Sequence, residues 1–207
     1  MNLSATPILL PTVEDIRTDR LDLIPIYSEV AQCEKETGLQ WRTRFSKLLL
    51  ARIPGEWPPE HWEPHVLDFL LDQMQKNPTS VGWSRLIALR DEAPMTHSSR
   101  RKLHRTLIGT LGAVPPGSPF AHGPATEIEV GYSILPAYQR HGYATEGLAA
   151  LLDWLPTQTR ITAFVAQTFA HLRASIRVLE KSGFHYAGAG FGEDTILYRK
   201  SFSNSQK

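Results

Sequence analysis

The chain has almost no cysteine, almost no net charge and no long apolar run, and each shortage closes off a class of protein. Cys33 is the one cysteine among 207 residues, so no internal disulfide can staple the fold, which fits a reducing compartment. Lys and Arg number 22 against 21 for Asp and Glu, a formal charge of +1. Broad nucleic-acid binding needs a basic stripe that neutralises several phosphates, and so balanced a chain argues against it. No stretch approaches the roughly 20 apolar residues that span a bilayer. The opening MNLSATPILLPTVEDIRTDR has a short apolar run broken by Pro7 and Pro11 with no positive charge before it, unlike a secretory leader. A cytoplasmic protein with no membrane and no nucleic-acid partner is expected.

What is present is the composition of a folded domain: 42% hydrophobic and 21% charged residues, with Trp, Phe and Tyr well represented. The length suits one domain. RLDLIPI alternates as a first strand ending near Pro25. Ser28 is placed to cap a helix that Gly38 ends, Trp41, Phe45, Leu48 and Leu49 give helical spacing to the next segment, and Pro58 and Pro59 suit the start of a third helix closed by Asn77 and Pro78. Two strands follow, VGWSRLIALRDE and TLIGTLGAVPPG, around a polar loop holding Arg100, Arg101, Lys102 and Arg105, read as a solvated hairpin tip. A long strand EIEVGYSIL, a helix GYATEGLAALLDWL, a strand ITAFVAQT, a helix closed by Gly183 and two last strands complete the chain. The expected division is an N-terminal extension over 1–17, one domain over 18–202 and a disordered tail over 203–207. Interleaved strands and helices make the class α/β (α+β) with a mixed sheet.

Between the long strand and its helix stands QRHGYATEG. A helix start carries N–H groups without intrahelical partners and a partial positive charge, so the loop feeding it holds an anion if side chains leave room. Gly142 and Ala144 leave that room, Arg140 adds charge and Gln139 adds uncharged donors. Plain turn chemistry is the alternative for such glycines. The spacing matches neither a P-loop nor the dinucleotide fingerprint.

Gln139-Arg140-His141-Gly142-Tyr143-Ala144 fits the Gln/Arg-x-x-Gly-x-Gly/Ala motif of GNAT-type N-acetyltransferases, and the sequence resembles that family. TDRLDLIPI resembles the first strand of its RimJ/RimL-like branch, which acetylates ribosomal-protein N-termini. EIEVGYSILPAYQRHGYATEG resembles the coenzyme-binding core, and ASIRVLEKSGF the later helix. The likeness runs from Thr18 to Phe202 and is weakest over Leu39 to Asn77. It implies a GNAT fold, with a mostly antiparallel central sheet splayed at a bulge and flanked by helices, and acetyl-CoA as cosubstrate with no metal. Coenzyme contacts would come from Gln139, Arg140, His141, Gly142, Tyr143, Ala144 and Thr145 in the loop and from the main chain of Ser133, Ile134 and Leu135 at the splay.

Acetyl transfer to an amine needs a neutral nucleophile, a polarised carbonyl and a proton for the departing thiolate. In a strand, Glu127, Glu129 and Gly131 share one face. The resemblance makes Glu129 the first choice for the base and Glu127 the second; a solvated carboxylate pair is the alternative. Many family members carry a Tyr acid where this chain has Leu179, and Leu172 stands where an Asn is frequent. Ser175 matches a branch Ser that can bond the sulfur, or else is a packing residue. Trp41 and Trp57, with Trp62, are candidates to wall the acceptor cleft, core packing being the alternative. In HWEPH, His61 and His65 lack the zinc-protease arrangement, and Cys33 has no His signature of a nucleophile.

The expected activity is transfer of acetyl from acetyl-CoA to a primary amine, either a protein N-terminal α-amine or a small molecule, by a monomer or homodimer. An acyl-CoA sensor that has lost catalysis is the rival.

Overall fold

The computed structural model describes residues 13–36, 38, 40–91, 104–116, 118 and 121–202. Among these residues eight strands, β1 (Ile16–Arg17), β2 (Leu21–Pro25), β3 (Ser84–Arg90), β4 (Arg105–Ala113), β5 (Glu127–Ile134), β6 (Ala163–Phe169), β7 (His185–Ala189) and β8 (Thr195–Ser201), make one sheet in the order β1-β2-β3-β4-β5-β6-β8-β7. Every neighbouring pair is antiparallel except β5 and β6. A parallel pair needs a crossover, and α4 (Tyr143–Trp154) supplies it.

Helices cover both faces because the strands are apolar on both. On one face Leu148, Leu151 and Leu155 at the α4 end and Ile176 and Leu179 of α5 (Arg173–Lys181) pack on Leu21, Leu23, Ile108, Leu111, Ile128, Val130 and Phe164. On the other, α1 (Ser28–Lys35), α2 (Trp41–Leu49) and α3 (Pro64–Lys76) bring Val30, Phe45, Leu49, Leu67 and Leu70 onto Ile24, Leu86, Ala88 and Leu107. Leu179 is 1% exposed, so the position of the absent tyrosine is a core position here.

Two helix starts differ from expectation. The residue before α1 is Tyr27, in extended conformation, with Ser28 already inside the helix and its hydroxyl turned to the Met74 sulfur at 3.9 Å. Tyr27 is fixed by its own hydroxyl, which donates to the Val13 carbonyl at 2.6 Å. The third helix starts at Pro64 and not at Pro58 or Pro59: Pro64 takes the first helical turn, where a missing N–H costs nothing. Trp62 therefore precedes the helix.

The start of the chain is built into the sheet from Ile16 onward. Arg85, fully buried, donates to the carbonyls of Glu14, Leu23 and Gly82 at 3.0, 3.0 and 2.8 Å and lies 4.6 Å from the Trp154 ring. Arg105 binds Asp15 at 2.5 Å and Asp22 at 3.1 Å, so this member of the basic loop is an internal strut. Arg100, Arg101, Lys102 and the tail 203–207 lie outside the described residues. Among the described residues no helix is long and apolar enough to cross a membrane.

Candidate active site

The central feature is a fork between β5 and β6. They pair only over Glu127–Ala163, Ile128–Phe164 and Glu129–Val165, whereas β5 stays in register with β4 from Val130 to Ile134. Strand backbone groups alternate sides. The Glu129 carbonyl accepts from Val114 N–H and Leu135 N–H donates to Ile108, both at 2.8 Å on the β4 side. In an unbroken register the odd positions therefore face β4, and the main-chain groups of Tyr132 and Ile134 face the open side of the fork. This differs from the expected trio: Leu135 N–H is taken, and Ser133 points its main chain to β4. The open edge belongs to Ile134 and to Tyr132, which spacing alone did not single out. Register shifts lie one strand away on either side of the fork, at Ile87/Ala88 opposite β4 and at Tyr186/Gly188 opposite β8.

Past the fork, Pro136–Tyr138 forms a short 3-10 turn, and Gln139 folds its amide back onto the Ile134 carbonyl at 2.9 Å. Arg140 (φ 66°) and Gly142 (φ 85°) both take left-handed values, which turns successive N–H groups into a concave nest. A side chain at Gly142 would be strained by that φ. Among the described residues the N–H groups from Arg140 to Thr145 donate to no protein acceptor, and the first helical bond runs from Glu146 N–H to the Gly142 carbonyl. The loop is exposed and open to an anion. His141 is steadied by its Nδ1 bond to the Gln139 carbonyl (2.7 Å) and by stacking on Tyr143.

Arg20 reaches the same nest. Its guanidinium lies 4.6 Å from the Tyr143 ring, donates to the His141 carbonyl at 3.1 Å and binds Glu146 at 2.6 Å. Burial alone would raise the Glu146 carboxyl, but bonds from Thr18 and Arg20 together hold it below the usual carboxylate range. A pairing more than 120 residues apart leaves no sequence periodicity by which to find it.

Glu127 and Glu129 do share one face, and both are engaged. Glu127 binds Arg199 at 2.8 Å. Glu129 accepts from the Gln167 amide at 2.6 Å and meets His122 Nδ1 at 3.0 Å. Its side chain is 17% exposed, at the last paired position before the fork opens. Gly131, next on that face, has nothing within 4 Å of where a Cβ would stand.

On the opposite face the Tyr132 hydroxyl donates to the Ser175 carbonyl at 3.0 Å and lies 3.2 Å from its Oγ. Burial pushes the Tyr132 phenol up to about 12, against the lowering effect of the Ser175 bond. Ser175 is thus tied to a phenol whose role no motif in the sequence signals. Trp57 is 3% exposed, packs near Phe45 and donates its indole N–H to Glu34 at 2.7 Å; it is a core residue with no face left for an acceptor. Trp41 is half-buried, 6.0 Å from the Phe45 ring. His61 and His65 pair separately with Glu60 and Glu63, and among the described residues no three His, Cys, Asp or Glu side chains gather as metal ligands would.

An acetyltransferase (GNAT) domain family model matches residues 49–185. No curated protein sequence matches the chain. Solved structures do. An acetyltransferase from Agrobacterium tumefaciens is 19% identical, with 96% of this chain and 100% of that one aligned at a TM-score of 0.57. The ribosomal-protein-S5-alanine acetyltransferase of Vibrio fischeri is 18% identical over 93% and 99%, TM-score 0.55. A RimL ribosomal L7/L12 α-N-protein acetyltransferase, solved with coenzyme A, is 15% identical over 91% and 98%, TM-score 0.52. With two thirds of its length under the family model and the sheet forked beside an open helix start, the chain belongs to the GNAT family of acetyl-CoA-dependent N-acetyltransferases.

Proposed function

We propose that the protein acetylates a primary amine, in the first place the α-amine of a protein N-terminus, by direct attack assisted by Glu129. The observation that carries this reading is the alignment of three features along β5: unpartnered N–H groups from Arg140 to Thr145, an open edge at Tyr132 and Ile134, and an acidic side chain where the fork begins. Acetyl-CoA supplies the acetyl group as a thioester. The N–H nest, with Arg140 and Arg20 beside it, suits its diphosphate. The N–H and C=O of Tyr132 and the N–H of Ile134, whose carbonyl already accepts from Gln139, suit its amide-bearing arm and the thioester oxygen. Glu129 faces away from α4 and α5, toward the side where Gly131 leaves bare backbone for an acceptor. The N-terminal α-amine is favoured because solved relatives of this fold are named as ribosomal-protein acetyltransferases.

The test is thiol release from acetyl-CoA with peptides bearing free or blocked N-termini and with small primary amines. Free-N-terminus peptides should drive release and blocked ones should not. The Glu127→Gln, Glu129→Gln double variant should lose about a hundredfold in kcat, as expected for removal of proton-transfer assistance, while coenzyme binding by calorimetry stays intact. Tight coenzyme binding with no amine-dependent release would replace this reading with that of a sensor.

A further inference from the structure

Glu129 is one link in a closed chain of contacts. The N–H groups of Phe191 and Gly192 donate to Gln167 Oε1 at 2.6 and 3.1 Å, and Thr195 Oγ1, whose proton goes to the Gly192 carbonyl at 2.7 Å, lies 3.2 Å from the same atom. With its oxygen so occupied, Gln167 has only its NH2 to present to Glu129 Oε1, at 2.6 Å. The other carboxylate oxygen, Oε2, meets His122 Nδ1 at 3.0 Å, and the imidazole stacks on the Phe191 ring at 4.5 Å and 11°. The chain therefore closes where it began, at Phe191. Both carboxylate oxygens have partners, so Glu129 is held as a hydrogen-bond acceptor for the ring.

A carboxylate only accepts, so the neutral imidazole bonded to it carries its proton on Nδ1 and leaves the Nε2 lone pair free. Nε2 has no partner among the described residues, and the side chain is 45% exposed. Stacking on Phe191 fixes the ring plane. The position is the mouth of the β5–β6 fork, on the same face as Gly131.

We propose that His122 Nε2 is the atom that takes the proton from the acceptor amine, and that Glu129, Gln167 and Phe191 are positioning residues that set its tautomer and orientation. This rests on the acetyltransferase reading above. As the amine nitrogen bonds to the acetyl carbon, the C–S bond breaks and its electron pair leaves on sulfur. The surplus N–H proton passes to Nε2 and from there to solvent, from which the thiolate is reprotonated. The sum is amine plus thioester giving amide plus thiol, and His122 ends as it began.

Two measurements test it. The first needs no substrate: in protein labelled with ¹⁵N-histidine, long-range ¹H–¹⁵N spectra above neutral pH should show His122 as the Nδ1–H tautomer. The Nε2–H tautomer would overturn the proposal, because that ring has no lone pair to offer the amine. The second is chemical rescue. With acetyl-CoA and the peptide and amine panel above, His122→Ala should lose about a hundredfold in kcat, and added imidazole should restore at least about tenfold of it, as a packing role would not allow. His122→Gln keeps a side-chain amide but no base, and should be as slow without being rescued. If wild type and His122→Ala turn over alike, or the loss resists imidazole, His122 is not the base, though the acetyltransferase reading stands. If the wild type itself releases no thiol with any amine, both fall.

Discussion

At the scale of single residues, Glu34 is a side chain held far from its ordinary chemistry. It lies on α1, where its Oε1 accepts from the indole N–H groups of Trp57 at 2.7 Å and Trp62 at 2.9 Å, while its Oε2 is sealed from solvent without a partner. Burial is the main cause of its displacement from 4.5 to about 7, against which the two indole bonds pull downward. A carboxyl raised on folding leaves its contribution to stability fully present below the unfolded value and lost as pH climbs through the folded one. The loss runs from about pH 4.5 to about pH 7 and is on the order of 3 kcal/mol. Glu34→Gln keeps the acceptor for both indoles and cannot ionise. Its urea midpoint should stay level across that window where the wild-type midpoint falls; equal slopes for the two proteins would show that Glu34 does not ionise in the fold. Nothing in the sequence marks this residue, because the indoles that bury it lie 23 and 28 positions further on.

At the scale of elements, β5 presents different chemistry on two faces and two edges. Its alternation was legible: Ile128 and Val130 in the core, Glu127, Glu129 and Gly131 on the other side, as period-two patterning requires. Which edge stays open was not legible, since it depends on where β6 stops pairing, and β6 begins some 30 residues later. The same applies to His122, which sits in a turn-rich connection and acquires meaning only when β5 and β6 bring Glu129 and Gln167 together. Gly131 separates the faces experimentally. Its φ is not in the left-handed region and a Cβ there meets open space, so Gly131→Val should fold with stability unchanged or raised by up to about 1 kcal/mol. The added methyl groups project toward the proposed acceptor side and away from α4. The amine KM should therefore rise about tenfold, equivalent to about 1.4 kcal/mol, with acetyl-CoA affinity unchanged in calorimetry. A matching loss of coenzyme affinity would mean that the two ligands do not occupy opposite sides of the sheet.

At the scale of the whole molecule, the sheet stands between two helical layers, one led by α4 at the N–H nest and one built from α1, α2 and α3. The central part of this plan was legible because motif and strand patterning coincide there. The layer of α1, α2 and α3 was less legible, since the start of α3 depends on which of several prolines takes the first helical turn. Two layers on opposite faces give the proposed coenzyme and acceptor sites separate approaches to the fork, which favours a complex holding both before transfer. A covalent relay would need an activated nucleophile at the fork. Cys33 is 1% exposed within the α1 layer, with its thiol pushed up by burial and then by Glu36, which disfavours the reactive thiolate. Ser133 lies on the Glu129 face, but among the described residues its hydroxyl meets no base, and Ser175 is bonded to Tyr132. Initial rates with both substrates varied should therefore give intersecting double-reciprocal lines, and acetyl-CoA without amine should release no burst of thiol. Cys33→Ala should retain at least about half the wild-type kcat, since a thiol outside the site contributes to packing alone. Parallel lines, together with a protein heavier by one acetyl group after incubation with acetyl-CoA alone, would place a covalent carrier between donor and acceptor and exclude direct attack.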